Sequence, residues 1–261
     1  MTVLDEIIAA KTAEIDRIRA ETDLAVLKDE ASQAPRCRDL IGALRNCGRV
    51  PIIAEIKRAS PSAGKLREVD DVAALAVAYE QAGAAALSVL TDGPFFNGDL
   101  DDLRQARSAV DLPILRKDFI LDPIQLYESR KAGADAVLLI AAALSPQQLR
   151  RLFVEARSLG MTAVIEVHDW NELQTALNVR PPVVGINNRD LTTMEVDLQT
   201  CVQLAALIPP ETIVLAESGI KEPEDVSMLL EAGAHAFLVG TALMRAPDPA
   251  IALDRLCSVR R

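Results

Sequence analysis

The stretch AVLLIAAALSPQQLRRLFVEARSLGMTAVIEV, residues 136–167, contains one whole building unit. A short apolar run, AVLLIA from Ala136, gives way to SPQQLRRLFVEARSLG, whose apolar residues fall at helical spacing, and TAVIEV from Thr162 opens another run. The same unit recurs on both sides. PIIAEIKR starts at Pro51, ALSVLT at Ala86, PILRKD at Pro113, VVGINNRD at Val183, IVLAESG at Ile213 and AFLVGT at Ala236. With the first two these make eight runs, recurring on average about every 26 residues. Strand then helix, eight times over, predicts the α/β class and a (β/α)8 TIM barrel. Gly83-Ala84, Gly133-Ala134 and Gly233-Ala234 fall where helices must end in a left-handed cap, and they fix the phase of the repeat. A doubly wound open sheet is the competing architecture, but it does not need eight evenly spaced units.

Residues 1–49 lie outside the repeat, and the barrel domain is expected over residues 50–261. Val3 to Glu21 sets Leu4, Ile7, Ile8, Ile15 and Ile18 at helical spacing, and Cys37 to Arg45 suits a second short helix, so an N-terminal helical extension is predicted. The pattern is compatible with a plug under the barrel floor and with a cover over its mouth. The extension is expected to serve substrate binding more than folding.

Of the 261 residues, 50% are hydrophobic and 25% charged, the profile of a chain that buries a substantial core. A net charge of -10 gives no electrostatic footprint for nucleic acid. The longest apolar run, Ala136 to Leu144, is about half of the roughly 20 residues that a membrane-spanning helix needs. MTVLDEIIAAKTAEIDRIRA interleaves charges where an export signal would be apolar, which points to the cytoplasm. Cys37, Cys47, Cys201 and Cys257 form no CxxC pair and have only His168 and His235 beside them, so no zinc site is expected and the thiols read as reduced, small hydrophobes.

In such a barrel the chemistry sits at the carboxyl ends of the strands. Side chains of one parity there are unusually charged: Ile53, Glu55 and Lys57 in the first run; Leu115, Lys117 and Phe119 in the third; Val164 and Glu166 in the fifth; Gly185, Asn187 and Arg189 in the sixth; Leu215 and Glu217 in the seventh. The apolar members identify the packed interior, which the charges then cap. Three carboxylates and two lysines are costly to desolvate unless paired or used, so the set is either an ion-pair network closing the barrel or an active site. Lysine and glutamate together suit proton transfer at a carbonyl; a Schiff-base lysine is the other possibility. His168 shares the parity of Glu166 but lies past the strand end, and Trp170 reads as a loop or helix-start residue. Glycine turns in AESGI and LVGTALM, at Gly219 and Gly240 with Thr241, allow backbone amides to approach a phosphate.

EIKRASPS from Glu55, LSVLTD and the pair Phe95-Phe96, LRKDFI from Leu115, LLIAA, IEVH from Ile165, GINNRDL from Gly185, AESGI and LVGTALM together resemble the indole-3-glycerol phosphate synthase family over nearly the whole chain. The resemblance implies ring closure of 1-(o-carboxyphenylamino)-1-deoxyribulose 5-phosphate to indole-3-glycerol phosphate, with loss of carbon dioxide and water. It implies no cofactor and no metal, no nucleic-acid or membrane partner, and a monomer or weak homodimer acting on a small phosphorylated substrate. By the same resemblance Lys117 is the general acid and Glu166 handles the second proton. Glu55 and Lys57 assist charge balance and dehydration, and Asn187 and Arg189 place the ring and its carboxylate with Ser60 and Glu217 nearby. Ser218, Gly219, Gly240 and Thr241 cradle the phosphate, and Phe119 walls the aromatic pocket. The family commonly has SPSKG where this chain has SPSAGK, so Ala63 stands in the lysine position, and Lys65 is not expected to replace it.

Overall fold

The computed structural model of the chain describes residues 2–259. Within them, strands β1 (Ile52–Ile56), β2 (Ala86–Leu90), β3 (Ile114–Lys117), β4 (Ala136–Ile140), β5 (Thr162–Val167), β6 (Val183–Asn187), β7 (Ile213–Glu217) and β8 (Ala236–Val239) pair in parallel and close into one barrel. Each pairs with its sequence neighbours, and β8 returns to β1 through Ile52 with Phe237, Ile53 with Leu238 and Ala54 with Val239. The (β/α)8 barrel expected from the eight runs is therefore present, and the open sheet is not. Strands buried on both faces explain why the runs read as continuous apolar segments rather than as clean alternation.

Three helices, α1 (Val3–Glu21), α2 (Leu24–Gln33) and α3 (Leu40–Arg45), precede the barrel. Those that follow are α4 (Val72–Gln81), α5 (Gly93–Phe96), α6 (Leu100–Ala109), α7 (Pro123–Ala132), α8 (Pro146–Ser158), α9 (Trp170–Leu177), α10 (Gln199–Ala205), α11 (Pro223–Glu231), α12 (Thr241–Arg245) and α13 (Pro249–Cys257). Asp122, Ser145 and Asp248 accept backbone N–H bonds at the starts of α7, α8 and α13, and each is followed by a proline, which needs no N–H at the first helical position. At the other end, Gly133 takes φ 93° beyond α7, a conformation that a β-carbon would strain. None of the described helices is long and apolar enough to cross a membrane.

The barrel interior is layered. Ile53, Leu115, Val164 and Leu215, from β1, β3, β5 and β7, belong to one buried apolar cluster. Two residues further on, the same four strands present Glu55, Lys117, Glu166 and Glu217. One complete inner layer, contributed by alternate strands as barrel geometry requires, is thus built only of ionisable groups.

The N-terminal extension takes both of its expected positions at once. Helix α1 lies over the mouth, where Val3, Leu4 and Ile7 face the cavity described below. Helix α2, which the sequence pattern does not announce, packs Leu27 and Ala31 with Ile124 and Tyr127 of α7. Helix α3 closes the floor: Leu40 and Leu44, 0% and 3% exposed, join the interior cluster of Ile53, Ala86 and Ala136. Arg38 donates to the carbonyl of Leu112 ahead of β3, and Arg45 to that of Glu211 ahead of β7. The expectation that the extension serves binding more than folding is corrected for this floor segment, which is part of the core.

Candidate active site

Lys117 stands at the centre of the charged layer. Its Nζ is 3.0 Å from Glu166 Oε2 and 3.4 Å from Glu217 Oε2. Burial alone would push the Lys117 ammonium down, but Glu166, Glu217 and Glu55 outweigh it and hold the group firmly protonated. Burial likewise works against ionisation of Glu166, yet Lys117 and His168 keep its carboxyl well below the usual carboxylate range. Glu217 goes the other way. Burial, opposed by Lys117 and reinforced by Glu166 and Glu55, lifts it to about 8. Three neighbouring carboxylates thus divide their roles: one held ionised, one neutral at pH 7, and Glu55 in an ion pair with Lys57 at 2.6 Å.

Space for these carboxylates comes from two glycines. A β-carbon on Gly185 in β6 would overlap Glu217 Oε1, and one on Gly240 after β8 would overlap Glu55 Oε1. Gly240, expected only as part of an anion cradle, also makes room for the Glu55 carboxylate. Past β7, Ser218 and Gly219 adopt φ 63° and 84° in succession and turn the chain sharply. The loop after β6 folds over that turn, so that a β-carbon on Gly219 would meet Val196 and Leu198 at 2.7 and 2.8 Å. Helix α12 starts at Thr241 with no side-chain cap at Gly240. Ser60, in the short antiparallel pairing of Ala59–Ser60 with Gly64–Lys65, accepts the Ala63 N–H at 3.2 Å.

Asn187 links Glu166 to the next loop, donating to its Oε1 at 3.1 Å and accepting the Arg189 backbone N–H at 3.0 Å. The Arg189 guanidinium donates to the Met194 carbonyl at 2.7 Å. His168 Nε2 lies 3.2 Å from Glu166 Oε1, close enough for charge pairing but outside hydrogen-bond geometry, while Nδ1 is 2.9 Å from Glu172 on α9. Burial opposes the imidazolium, but the two carboxylates raise His168 to about 10. Phe119, 8% exposed just beyond β3, faces Phe96 of α5 with ring centroids 6.1 Å apart and planes at 36°. Every one of the thirteen site residues singled out from the sequence, from Glu55 to Thr241, lines a single cavity of about 980 Å³ at the barrel mouth.

The sequence model of indole-3-glycerol phosphate synthase matches residues 4–256. The chain belongs to that family. An indole-3-glycerol phosphate synthase from Rhodopirellula baltica is 53% identical over 256 residues, covering 98% of this chain and 99% of the relative. Another from Azoarcus sp. is 49% identical, with 97% and 98% covered. Among solved structures, N-acetylmannosamine-6-phosphate 2-epimerase from Clostridium perfringens superposes with a TM-score of 0.60 at 16% identity over 78% of this chain and 90% of that one, a likeness of fold alone.

In this member of the synthase family, sequence reasoning missed several residues that shape the cavity. Phe96 was visible in the Phe95-Phe96 pair, but nothing local says that it meets Phe119. Val3, Leu4 and Ile7 sit on a helix whose position the pattern left open. Lys11, on the same helix, is only 1% exposed and ion-paired to Asp92 and Asp118 at 3.1 and 2.9 Å. Lys65, by contrast, is exposed, pairs with Glu68 and does not line the cavity, whereas Ala63 does.

Proposed function

We propose that this chain closes the ring of 1-(o-carboxyphenylamino)-1-deoxyribulose 5-phosphate to give indole-3-glycerol phosphate, carbon dioxide and water, with Lys117 as general acid and Glu166 as general base. The observation that carries the reading is the Lys117 ammonium held at 3.0 Å from Glu166 inside a layer of carboxylates. The surrounding carboxylates, Glu166 foremost, keep that lysine protonated, which suits a proton donor and works against a Schiff-base nucleophile, since the latter needs a depressed pKa. As the aryl carbon bearing the carboxylate bonds to the carbonyl carbon, Lys117 gives its proton to the carbonyl oxygen. Carbon dioxide then leaves, and its electron pair restores the aromatic ring. The new hydroxyl departs as water with a proton from Lys57, while Glu166 takes the proton from the adjacent ring carbon.

Positioning supports the same reading. Phe96 and Phe119 offer an aromatic slot for the aryl ring, and Asn187, Arg189 and Ser60 surround the region where its carboxylate would lie. Neutral Glu217 can donate a hydrogen bond to a substrate oxygen, and its Oε1 has no partner among the described residues. The uncapped start of α12 and the Ser218-Gly219 turn suit a phosphate. Holding the two reacting carbons together supplies much of the acceleration in a cyclisation. The small phosphorylated arylamine is the only partner the reading calls for, with the enzyme acting in the cytoplasm as a monomer or weak homodimer.

The test is direct: add the arylamino substrate and follow indole fluorescence, with borohydride treatment in parallel. Indole formation without a trapped adduct on Lys117 is expected. A borohydride-trapped adduct, or no indole from folded protein, would reject the proposal.

A further inference from the structure

We infer that Lys11, on the helix over the mouth, is a positioning residue for the aryl half of the substrate, because it joins the two carboxylates that fix the Phe96 and Phe119 segments. The inference rests on the ring-closure reading for the nature of the ligand. It does not rest on Lys117 or Glu166.

Asp92 and Asp118 each hold the backbone next to one aromatic wall. Asp92 is the N-cap of α5, and its Oδ1 accepts the Phe95 N–H at 2.9 Å, so it sets where Phe96 stands. Asp118 follows Lys117, and its Oδ1 accepts the Phe119 N–H at 2.8 Å. Lys11 Nζ approaches Asp92 Oδ2 at 3.1 Å, Asp118 Oδ1 at 2.9 Å and Glu14 Oε2 at 2.9 Å. The Glu14 contact is a hydrogen bond, and the two aspartates flank the ammonium as buried ion partners. The other oxygen of Asp118 is held by Arg116 at 2.9 Å and Thr91 at 2.6 Å, so that carboxylate cannot swing to follow a lysine that moves away.

The burial argues for more than a surface latch. Lys11 and the side chains of Asp92 and Asp118 are 1%, 1% and 0% exposed. A helix that needed only to be anchored would be held by its apolar contacts, which α1 already makes through Ile7 and Ile15. A buried ion pair adds little to stability when compared with apolar packing, but it fixes geometry through direction and distance. The geometry fixed here is the separation of the two rings between which an aryl group would slide.

The experiment compares the full-length wild type with Lys11→Arg, Lys11→Met and the double variant Lys11→Met/Asp92→Asn. The double variant removes the acid left unpaired, and asparagine still caps α5, so it keeps the test available if the single variant folds poorly. Two ligands are measured: indole-3-glycerol phosphate, and glycerol 3-phosphate, which has no aryl group. Loss of the bridge should weaken the indole product about tenfold, raise KM alike and leave glycerol 3-phosphate within about twofold, with Lys11→Arg restoring part of the loss. The pH profile of kcat should keep its shape, since the acid and base are untouched. Equal weakening of both ligands, or unchanged affinity for the indole product in a folded variant, would overturn the inference. Wild type that neither binds nor makes the indole product would instead reject the ring-closure reading.

Discussion

Glu55 and Gly240 share one space: the Glu55 carboxylate occupies the position that a β-carbon at residue 240 would take. The glycine after β8 is therefore tied to the Glu55–Lys57 pair as well as to the start of α12. Gly240→Ala is expected to lower kcat about tenfold or more by displacing Glu55, besides raising KM. Steady-state kinetics with the full substrate checks this. A rise in KM alone would mean that Glu55 has room to shift without loss of function.

Glu217 supplies a pH signature. Its folded value of about 8 lies above its ordinary 4.5, so the folded state holds a proton that the unfolded chain releases. The stability linked to that proton is complete below about 4.5 and is lost as pH rises through about 8. Glu217→Gln mimics the protonated form. Thermal melts should show the variant gaining on wild type at pH 9 relative to pH 5; a constant difference would place the titration elsewhere.

His168 should act on Glu166. The imidazolium persists to about pH 10 against an ordinary 6.5, so its contribution to stability is complete below about 6.5 and disappears as pH rises through about 10. His168→Asn removes a positive charge 3.2 Å from Glu166, and that carboxyl should then become harder to ionise. The acid limb of the kcat profile is expected to move to higher pH, and an unmoved limb would show that Lys117 alone sets Glu166.

Truncations should separate the two ends of the extension. Removing residues 1–22 takes away α1 and the mouth wall, and circular dichroism should still report a folded barrel with weakened substrate binding. Removing residues 1–49 also strips Leu40 and Leu44 from the floor, each worth about 1.5–3 kcal/mol of burial, and should unfold the chain. A folded product of the longer deletion would return α3 to the status of an accessory.

What was legible in the sequence follows from period. A strand puts every second side chain on one face, so the spacing of Ile53 with Glu55 and of Leu115 with Lys117 is enough to mark the interior and its charged rim. Registers between strands carry no such local mark. That Glu217 lies over Gly185, or Glu55 over Gly240, depends on which strands are neighbours and by how much they stagger. Lys11 was illegible for another reason: on a helix with charges every few residues it reads as solvated, and its burial is decided by Asp92 and Asp118, some eighty and a hundred positions away. His168 was visible, but its partner Glu172 comes from the first turn of α9, so its place beside Glu166 appears only when strand and helix meet.

The most direct measurement is turnover of Lys117→Met with the arylamino substrate, read by indole fluorescence, beside its affinity for indole-3-glycerol phosphate. Loss of a general acid typically costs about 10² to 10⁴ in rate. We predict a fall of that size in kcat with product affinity changed only a few-fold, because the residues proposed to hold the aryl ring and the phosphate remain. Near-normal turnover by the folded variant would contradict the account and make Lys57, paired with Glu55 of that layer, the principal acid.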